Sequence, residues 1–358
     1  MSKYLDDRYN KMKPYRLGEQ PTDREYVKLN SNESPFAASP KVLQVIEESA
    51  RQPLGYYADQ DGTILRDALA GNYGIDREQV FVGNGADEIL SFCFLAYAVG
   101  NKGLCYPDIT YGFYRTFANT YGVHSEVIPL DEDFQIDTRP YEESDKTVVI
   151  PNPNAPTGRR ISMEKIEHLL DSKKGRIVVI DEAYVDFETK SCISILDKHP
   201  NLIVVHTMSK SRNIAGLHVG YAIASKEIIE DLNALKNCFN PNNVNLVTLN
   251  AAVAAVEDEA YNRKVTDEKV RVRKDTQKKL EAYDFYVVES FTNFLFVSHP
   301  DIEAKDLEKE LREYGILTRY YDEPRISNFL RITIGNEEEM KKVTDAVKQI
   351  LTSKIEVA

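Results

Sequence analysis

The sequence predicts an α/β protein of two domains, the larger a mostly parallel sheet covered by helices and the smaller an α+β unit at the carboxyl end. Three observations carry this. Between about 79 and 225, short β-rich runs alternate with helical patterns, which favours parallel strands joined by helical crossovers. Over roughly the last 75 residues the pattern changes to strands separated by amphipathic helices. The 358 residues, 42% of them hydrophobic, suit about two domains with a sizeable core.

Pro40 to Ala50 predicts a helix with Val42, Val45 and Ile46 on one face. The β-rich runs follow: VFVG (80–83), GLCY (103–106), VHSEVI (123–128), TVVI (147–150), RIVVI (176–180), LIVVHT (202–207) and VGYAIA (219–224). Val244 to Tyr283 reads as helix with at least one break, apolar first and highly charged later. Beyond it, YVVES (286–290), NFLFVS (293–298) and FLRITIG (329–335) predict strands, and Ile302–Tyr314 and Glu337–Leu351 predict amphipathic helices. We expect residues 1–28 to form an arm packing with the small domain, 29–265 the large domain and 266–358 the small one.

A formal charge of −12 with no basic cluster argues against nucleic acid as a partner, because few phosphate counterions would be released. The longest apolar run, Ile89 to Gly100, is too short to span a bilayer, and MSKYLDDRYNKMK at the start has no apolar signal core, so a cytoplasmic location is expected. Cys93, Cys105, Cys192 and Cys238 show no CxxC spacing and read as reduced, mostly packed thiols. The six histidines show no ligand spacing, and no metal is expected.

In an open parallel sheet the carboxyl ends of the strands face the ligand crevice. Here polar segments stand at five such ends: NGADE (84–88), PDITYG (107–112), PNPNAPTG (151–158), DEAY (181–184) and Met208-Ser209-Lys210. Any one could be a turn; five at one edge point to a site. Gly83-Asn84-Gly85 opens like a dinucleotide fingerprint, but Glu88 stands at the third glycine position, which disfavours a Rossmann dehydrogenase. A glycine-rich helix start still suits a single phosphate. Gly158-Arg159-Arg160 lacks the order of a Walker A loop.

Asp181 ends an apolar strand, so its carboxylate is either a helix cap or a desolvated anion in need of a donor. Tyr184, three residues on, reads as packing when taken alone. Lys210, taken alone, reads as a solvated side chain; desolvated at a sheet edge it becomes a Schiff-base nucleophile. Arg331 points away from the apolar face formed by Leu330, Ile332 and Ile334, toward either water or a site.

DEAY, Ser209-Lys210 with AGL following, NAPTG (154–158), GADE (85–88) and TYG (110–112) together resemble fold-type I pyridoxal-phosphate aminotransferases. LNSNESPFAASP (29–40), Pro14-Tyr15 and FLRITIG are similar to the histidinol-phosphate aminotransferase branch, and the resemblance runs from about 14 to 350. It implies pyridoxal 5'-phosphate as cofactor, histidinol phosphate as amino donor and a 2-oxo acid, usually 2-oxoglutarate, as acceptor in histidine biosynthesis. It also implies roles. Lys210 holds the cofactor as an internal aldimine and then moves the proton between Cα and C4′, Asp181 keeps the pyridine nitrogen protonated, and Tyr184 donates to the 3-oxygen. Gly85, Ala86 and Asp87 with Thr207 and Ser209 form the phosphate cup, and Tyr111 stacks on the ring. Tyr57 reaches the phosphate of the neighbouring subunit, which implies a homodimer with composite sites. Tyr15, Asn32, Arg319 and Arg331 contact substrate, the arginines as anion anchors.

Two positions depart from the family pattern. His218 stands where an arginine usually clamps the cofactor phosphate, and a lost charge-assisted contact is worth about 1.5–3 kcal/mol; Arg212 is a candidate substitute. Ala155 stands where an asparagine usually donates to the 3-oxygen, leaving that task to Asn154 or to Tyr184 alone. Competing readings are an aromatic amino-acid aminotransferase, a decarboxylase of a phosphorylated amino acid, and a non-catalytic sensor that only binds the cofactor.

Overall fold

The β-rich runs assemble into one sheet in the computed structural model, which describes residues 2–9, 14–15, 18–100 and 102–357. After a short strand β1 (Val27–Lys28) come β2 (Val80–Gly83), β3 (Leu104–Pro107), β4 (Ser125–Ile128), β5 (Thr147–Pro151), β6 (Val178–Asp181), β7 (Leu202–Thr207) and β8 (Gly220–Ala224). They stand in the order β2-β8-β7-β6-β5-β3-β4. Neighbours from β7 to β4 pair in parallel, whereas β8, the VGYAIA run, is antiparallel to both β7 and β2. The carboxyl ends of β2, β3, β5, β6 and β7 therefore share one edge.

Helices interleave with these strands: α1 (Pro40–Ser49), α2 (Thr63–Tyr73), α3 (Gly85–Tyr97), α4 (Phe113–Tyr121), α5 (Arg139–Glu143), α6 (Met163–Ser172) and α7 (Lys226–Phe239). Both faces of the sheet are covered. Val178, Ile180, Leu202 and Val204 pack into one core, and their alternates Val179, Ile203 and Val205 pack into the other. This two-sided burial explains why the strands are continuous apolar runs rather than alternating ones.

The broken helix expected over 244–283 is two helices, α8 (Leu246–Glu257) and α9 (Glu259–Glu281). Asp258 caps the first at φ −97° and ψ 52°, breaking the helical path between them. The small domain adds β9 (Tyr286–Val288), β10 (Phe294–Ser298), α10 (Ala304–Glu313), β11 (Ile316–Leu317), β12 (Arg319–Tyr320), β13 (Leu330–Thr333) and α11 (Glu337–Val357). Its antiparallel sheet runs β12-β13-β10-β9. In the arm, β1 pairs in parallel with β11, and Leu29 lies in the small-domain core with Ile316, Leu330 and Val347. The 265/266 division expected between domains falls inside α9, whose Val272 and Leu280 belong to that same small-domain core.

Phe296 on β10 joins the halves. It is fully buried, stacks on Phe329 at 4.7 Å and meets the edge of Phe134 at 5.8 Å. Cys93, Cys105 and Cys192 are buried and Cys238 is exposed. Among the described residues no helix is long and apolar enough to cross a membrane, and no three His, Cys, Asp or Glu side chains gather where a metal ion would sit.

Truncating Phe296 to alanine is expected to cost about 3–5 kcal/mol of stability, measured by urea unfolding followed through tyrosine fluorescence. A loss below about 1 kcal/mol would mean that the junction closes over the cavity.

Candidate active site

The shared strand edge opens into a cavity of about 390 Å³. Asp181, the last residue of β6, is 5% exposed and lines it. Its Oδ2 accepts from Tyr114 Oη at 2.6 Å and its Oδ1 from the Ala183 amide at 3.1 Å. Burial raises this carboxyl's pKa to about 6, against the lowering effect of those two hydrogen bonds. Tyr114, on α4, has no exposed surface. It was not singled out from the sequence, although a desolvated carboxylate demands a donor and Tyr114 stands one helical turn beyond Tyr111.

Lys210 lies three residues past β7 and lines the same cavity. Burial first, and the positive charge of Arg331 second, lower its pKa to about 8; Glu33 and Asp87 act in the opposite sense. The loop carrying it is held by its own polar groups. Thr207 Oγ1 donates to Ser209 Oγ at 3.0 Å and accepts from the Ser209 amide at 3.2 Å, and Ser211 bonds to Asp186.

The amino end of α3 forms a third wall. Gly85 has φ +78°, and a Cβ there would lie 2.6 Å from the His218 ring. Only glycine lets the histidine close over this turn. His218 itself is left-handed at φ 51°, with Nδ1 3.2 Å from Asn84 Oδ1. Gly85, Ala86, Asp87, Thr207, Ser209 and His218 all line the cavity, giving backbone N–H groups and hydroxyls suited to an anion.

Tyr111 crosses the cavity with its hydroxyl on Asp87 Oδ1 at 3.0 Å and its ring edge-on to Tyr114 at 5.8 Å and 88°. Burial and the Asp87 charge hold the Tyr111 phenol well above its ordinary pKa. Tyr184 lines the cavity and accepts from Asn32 Nδ2 at 2.7 Å, with burial again raising its pKa. Asn32 is fixed in the left-handed region at φ 54°, its amide donating to Thr333 Oγ1 at 3.0 Å.

Two arginines enter from the small domain. Arg319 and Arg331 are register partners on β12 and β13, and both line the cavity. Arg331 donates from Nη2 to the Asn30 carbonyl at 2.8 Å and lies over the Phe294 ring at 5.4 Å, while its buried Nε has no hydrogen-bond partner. Tyr15 lines the cavity and packs on Phe113 at 4.5 Å. Tyr321, Glu33 and Glu323 also line it and had no distinguishing sequence signal.

Two candidates, Asn154 and Arg212, lie outside the cavity wall, as does Tyr57, which was expected at a partner's site rather than its own. Asn154 is fully buried behind the wall, its Nδ2 donating to the Ile109 carbonyl at 3.0 Å and Thr157 Oγ1 at 2.9 Å and its Oδ1 accepting from Thr110 at 3.0 Å. Ala155 faces the cavity in its place. Arg212 spends Nη1 on Glu259 at 2.7 Å and is not in the cavity wall, so it is no substitute for the missing arginine. Tyr57 is 86% exposed and outside the cavity of its own chain.

The family described as aminotransferase class I and II matches residues 24–347. Among similar proteins, a histidinol-phosphate aminotransferase of Marinomonas sp. (strain MWYL1) is 44% identical, covering 98% of this chain and 100% of its own. One from Clostridium beijerinckii is 42% identical, with 99% of each chain covered. The structure of histidinol-phosphate aminotransferase from Clostridium acetobutylicum superposes with a TM-score of 0.84 at 25% identity, covering 91% of this chain and 99% of that one. The Sinorhizobium meliloti enzyme in complex with pyridoxal-5'-phosphate shares the fold, with a TM-score of 0.82 over 92% of each chain at 22% identity. A family match across most of the chain, near-full-length relatives above 40% identity and a cavity built on the same strand edge lead to one assignment: the chain belongs to the class I and II aminotransferases.

Proposed function

We propose that this chain transfers the amino group of histidinol phosphate to a 2-oxo acid, with pyridoxal 5'-phosphate as cofactor. The observation that carries the reading is one cavity lined at once by Lys210, Asp181 and the arginine pair Arg319 and Arg331. The donor set fits the cofactor. A buried carboxylate with a tyrosine donor suits a protonated ring nitrogen, a lysine of lowered pKa suits an aldehyde, and the Gly85 turn suits a phosphate.

Bound there, pyridoxal phosphate supplies an aldehyde for an amine and a ring that takes up the electron pair left when a Cα proton departs. Asp181 would hold the ring nitrogen's proton, its carboxylate aimed and kept ionised by Tyr114 and the Ala183 amide. The first turn of α3, with Thr207 and Ser209, would hold the phosphate through N–H and O–H donors and the helix dipole. His218 adds a ring at that turn. Tyr111, tethered by Asp87, would stack on the ring. Lys210 would be the base that takes the proton from the substrate Cα, its pKa lowered to about 8 leaving a neutral amine available near that pH. Asn32 steers the Tyr184 hydroxyl. Arg331, with Nε unengaged, and Arg319 take the substrate phosphate by a charge-assisted fork. Tyr15 closes the mouth above it.

A second copy of the chain would complete the site. Tyr56 and Tyr57 are 81% and 86% exposed, which suits aromatic side chains placed for a partner's cavity.

Histidinol phosphate added without any oxo acid is expected to abolish the visible band of the cofactor-loaded protein in a single turnover, and a 2-oxo acid restores it. Carbon dioxide release from a phosphorylated amino acid, with no response to histidinol phosphate, would instead establish a decarboxylase. On mixing cofactor-free protein with pyridoxal phosphate, the rate of band formation rises about tenfold per pH unit below about 8 and levels above it, because only the neutral amine condenses; Lys210→Ala forms no band. A rate independent of pH across this range would show that another group limits capture. His218→Arg is expected to tighten pyridoxal phosphate by about ten- to a hundred-fold in equilibrium dialysis. An unchanged Kd would remove residue 218 from the phosphate site.

A further inference from the structure

A second lysine is buried behind the first. Lys269, midway along α9, is 1% exposed. Its Nζ donates to the backbone carbonyl of Lys210 at 2.9 Å and to Asn213 Oδ1 at 2.6 Å. Asn213 is held at φ 60°, and the same Oδ1 accepts from Ser34 Oγ at 2.6 Å. The rings of Phe36 and Phe187 stand 5.9 and 5.7 Å from the ammonium. The charged groups acting on Lys269 are Asp186, on the segment after β6, and Lys210; the segment after β1 presents Ser34 and Phe36.

The hydrogen-bond acceptors are a carbonyl and an amide, not a carboxylate. Desolvating an amine against neutral acceptors is costly, and burial accordingly lowers the Lys269 pKa to about 7. If this space only needed filling, an apolar side chain of the same length would do so at equal or greater stability. What an apolar chain cannot do is hold the Lys210 carbonyl. That carbonyl belongs to a loop that has left β7, where no ladder partner fixes it, and the reacting amine extends from the same residue on a long, flexible stem.

We propose that Lys269 is a positioning residue for Lys210: it fixes the backbone from which the reacting amine extends and ties that backbone to α9 and, through Asn213, to the segment after β1. The inference rests on the aminotransferase reading of the cavity. Lys269 is not in the cavity wall, and its effect is on aim alone. A misplacement of about 1 Å in a reacting group lowers a rate about a hundredfold.

The test separates aim from binding. Pyridoxamine 5'-phosphate has no aldehyde and reports ring and phosphate binding without condensation at Lys210; pyridoxal phosphate condenses with the Lys210 amine, releasing water, and reports its aim. For Lys269→Met in the full chain, the Kd for pyridoxamine phosphate should stay within about twofold, while the rate of band formation with pyridoxal phosphate and kcat both fall about ten- to a hundred-fold, with KM for the amino donor nearly unchanged. Asn213→Gly keeps the left-handed backbone and removes one acceptor, so it should show the same split at about three- to tenfold. It decides the matter alone if Lys269→Met does not fold. Wild-type condensation rates in the folded variant, or parallel loss of pyridoxamine phosphate binding, would overturn the proposal. A wild-type protein that forms no band with pyridoxal phosphate would instead defeat the cofactor reading itself.

Discussion

The site depends on taking a carboxylate and an amine out of water at one edge of one sheet. Strands apolar on both faces deliver Asp181 and Lys210 there, and desolvation moves their pKa values toward each other, to about 6 and about 8. The remainder of the architecture limits the cost of this exposure to low dielectric. Tyr114 and the Ala183 amide stabilise the carboxylate, while Glu33 and Asp87 oppose the loss of the lysine proton.

A second polar chain lies behind the first and shares its strands. Glu182 follows Asp181, and His206 precedes Thr207, so strand alternation turns them away from the cavity. Glu182 Oε2 lies 2.8 Å from His206 Nε2, Tyr221 Oη 3.1 Å from His206 Nδ1, and Tyr73 Oη 2.6 Å from Tyr221 Oη. The Cys192 amide and Ser191 hydroxyl complete the Glu182 carboxylate. This satisfied network crosses β6, β7 and β8 and links α2 to them, fixing the three strand ends that present the site. The cavity residues thus stand on a rigid backing rather than on loops alone.

Much of this was legible in the sequence because it follows from period and position. Apolar runs marked the strands, and polar segments just past them marked the edge that holds Asp181, Lys210, Gly85 and Tyr111; the roles of those residues came from the family resemblance, since Lys210 taken alone reads as solvated. The antiparallel direction of β8 could not be read, since a short apolar run carries no direction. Nor could Tyr114 or Lys269, whose roles arise from contacts 67 and 59 residues away along the chain. Asn154 shows the reverse error: a polar residue beside the cavity reads as a ligand until its amide is found committed to Ile109 and Thr157. A side chain's remaining hydrogen-bond capacity is a property of the folded state.

On the proposed reading, chemistry and selection are divided between the domains. The amine and the carboxylate stand on the large domain, whereas both arginines come from β12 and β13 of the small one. A substrate that bridges them must carry its anion at a fixed distance from its reacting amine, so the relative placement of the domains acts as a ruler. The segment 27–32 helps to set that placement. It pairs with β11 through Val27 and Lys28, receives the Arg331 guanidinium on the Asn30 carbonyl and reaches Tyr184 through Asn32. One short segment therefore touches both Arg331 and Tyr184, and any shift of the small domain is felt at both.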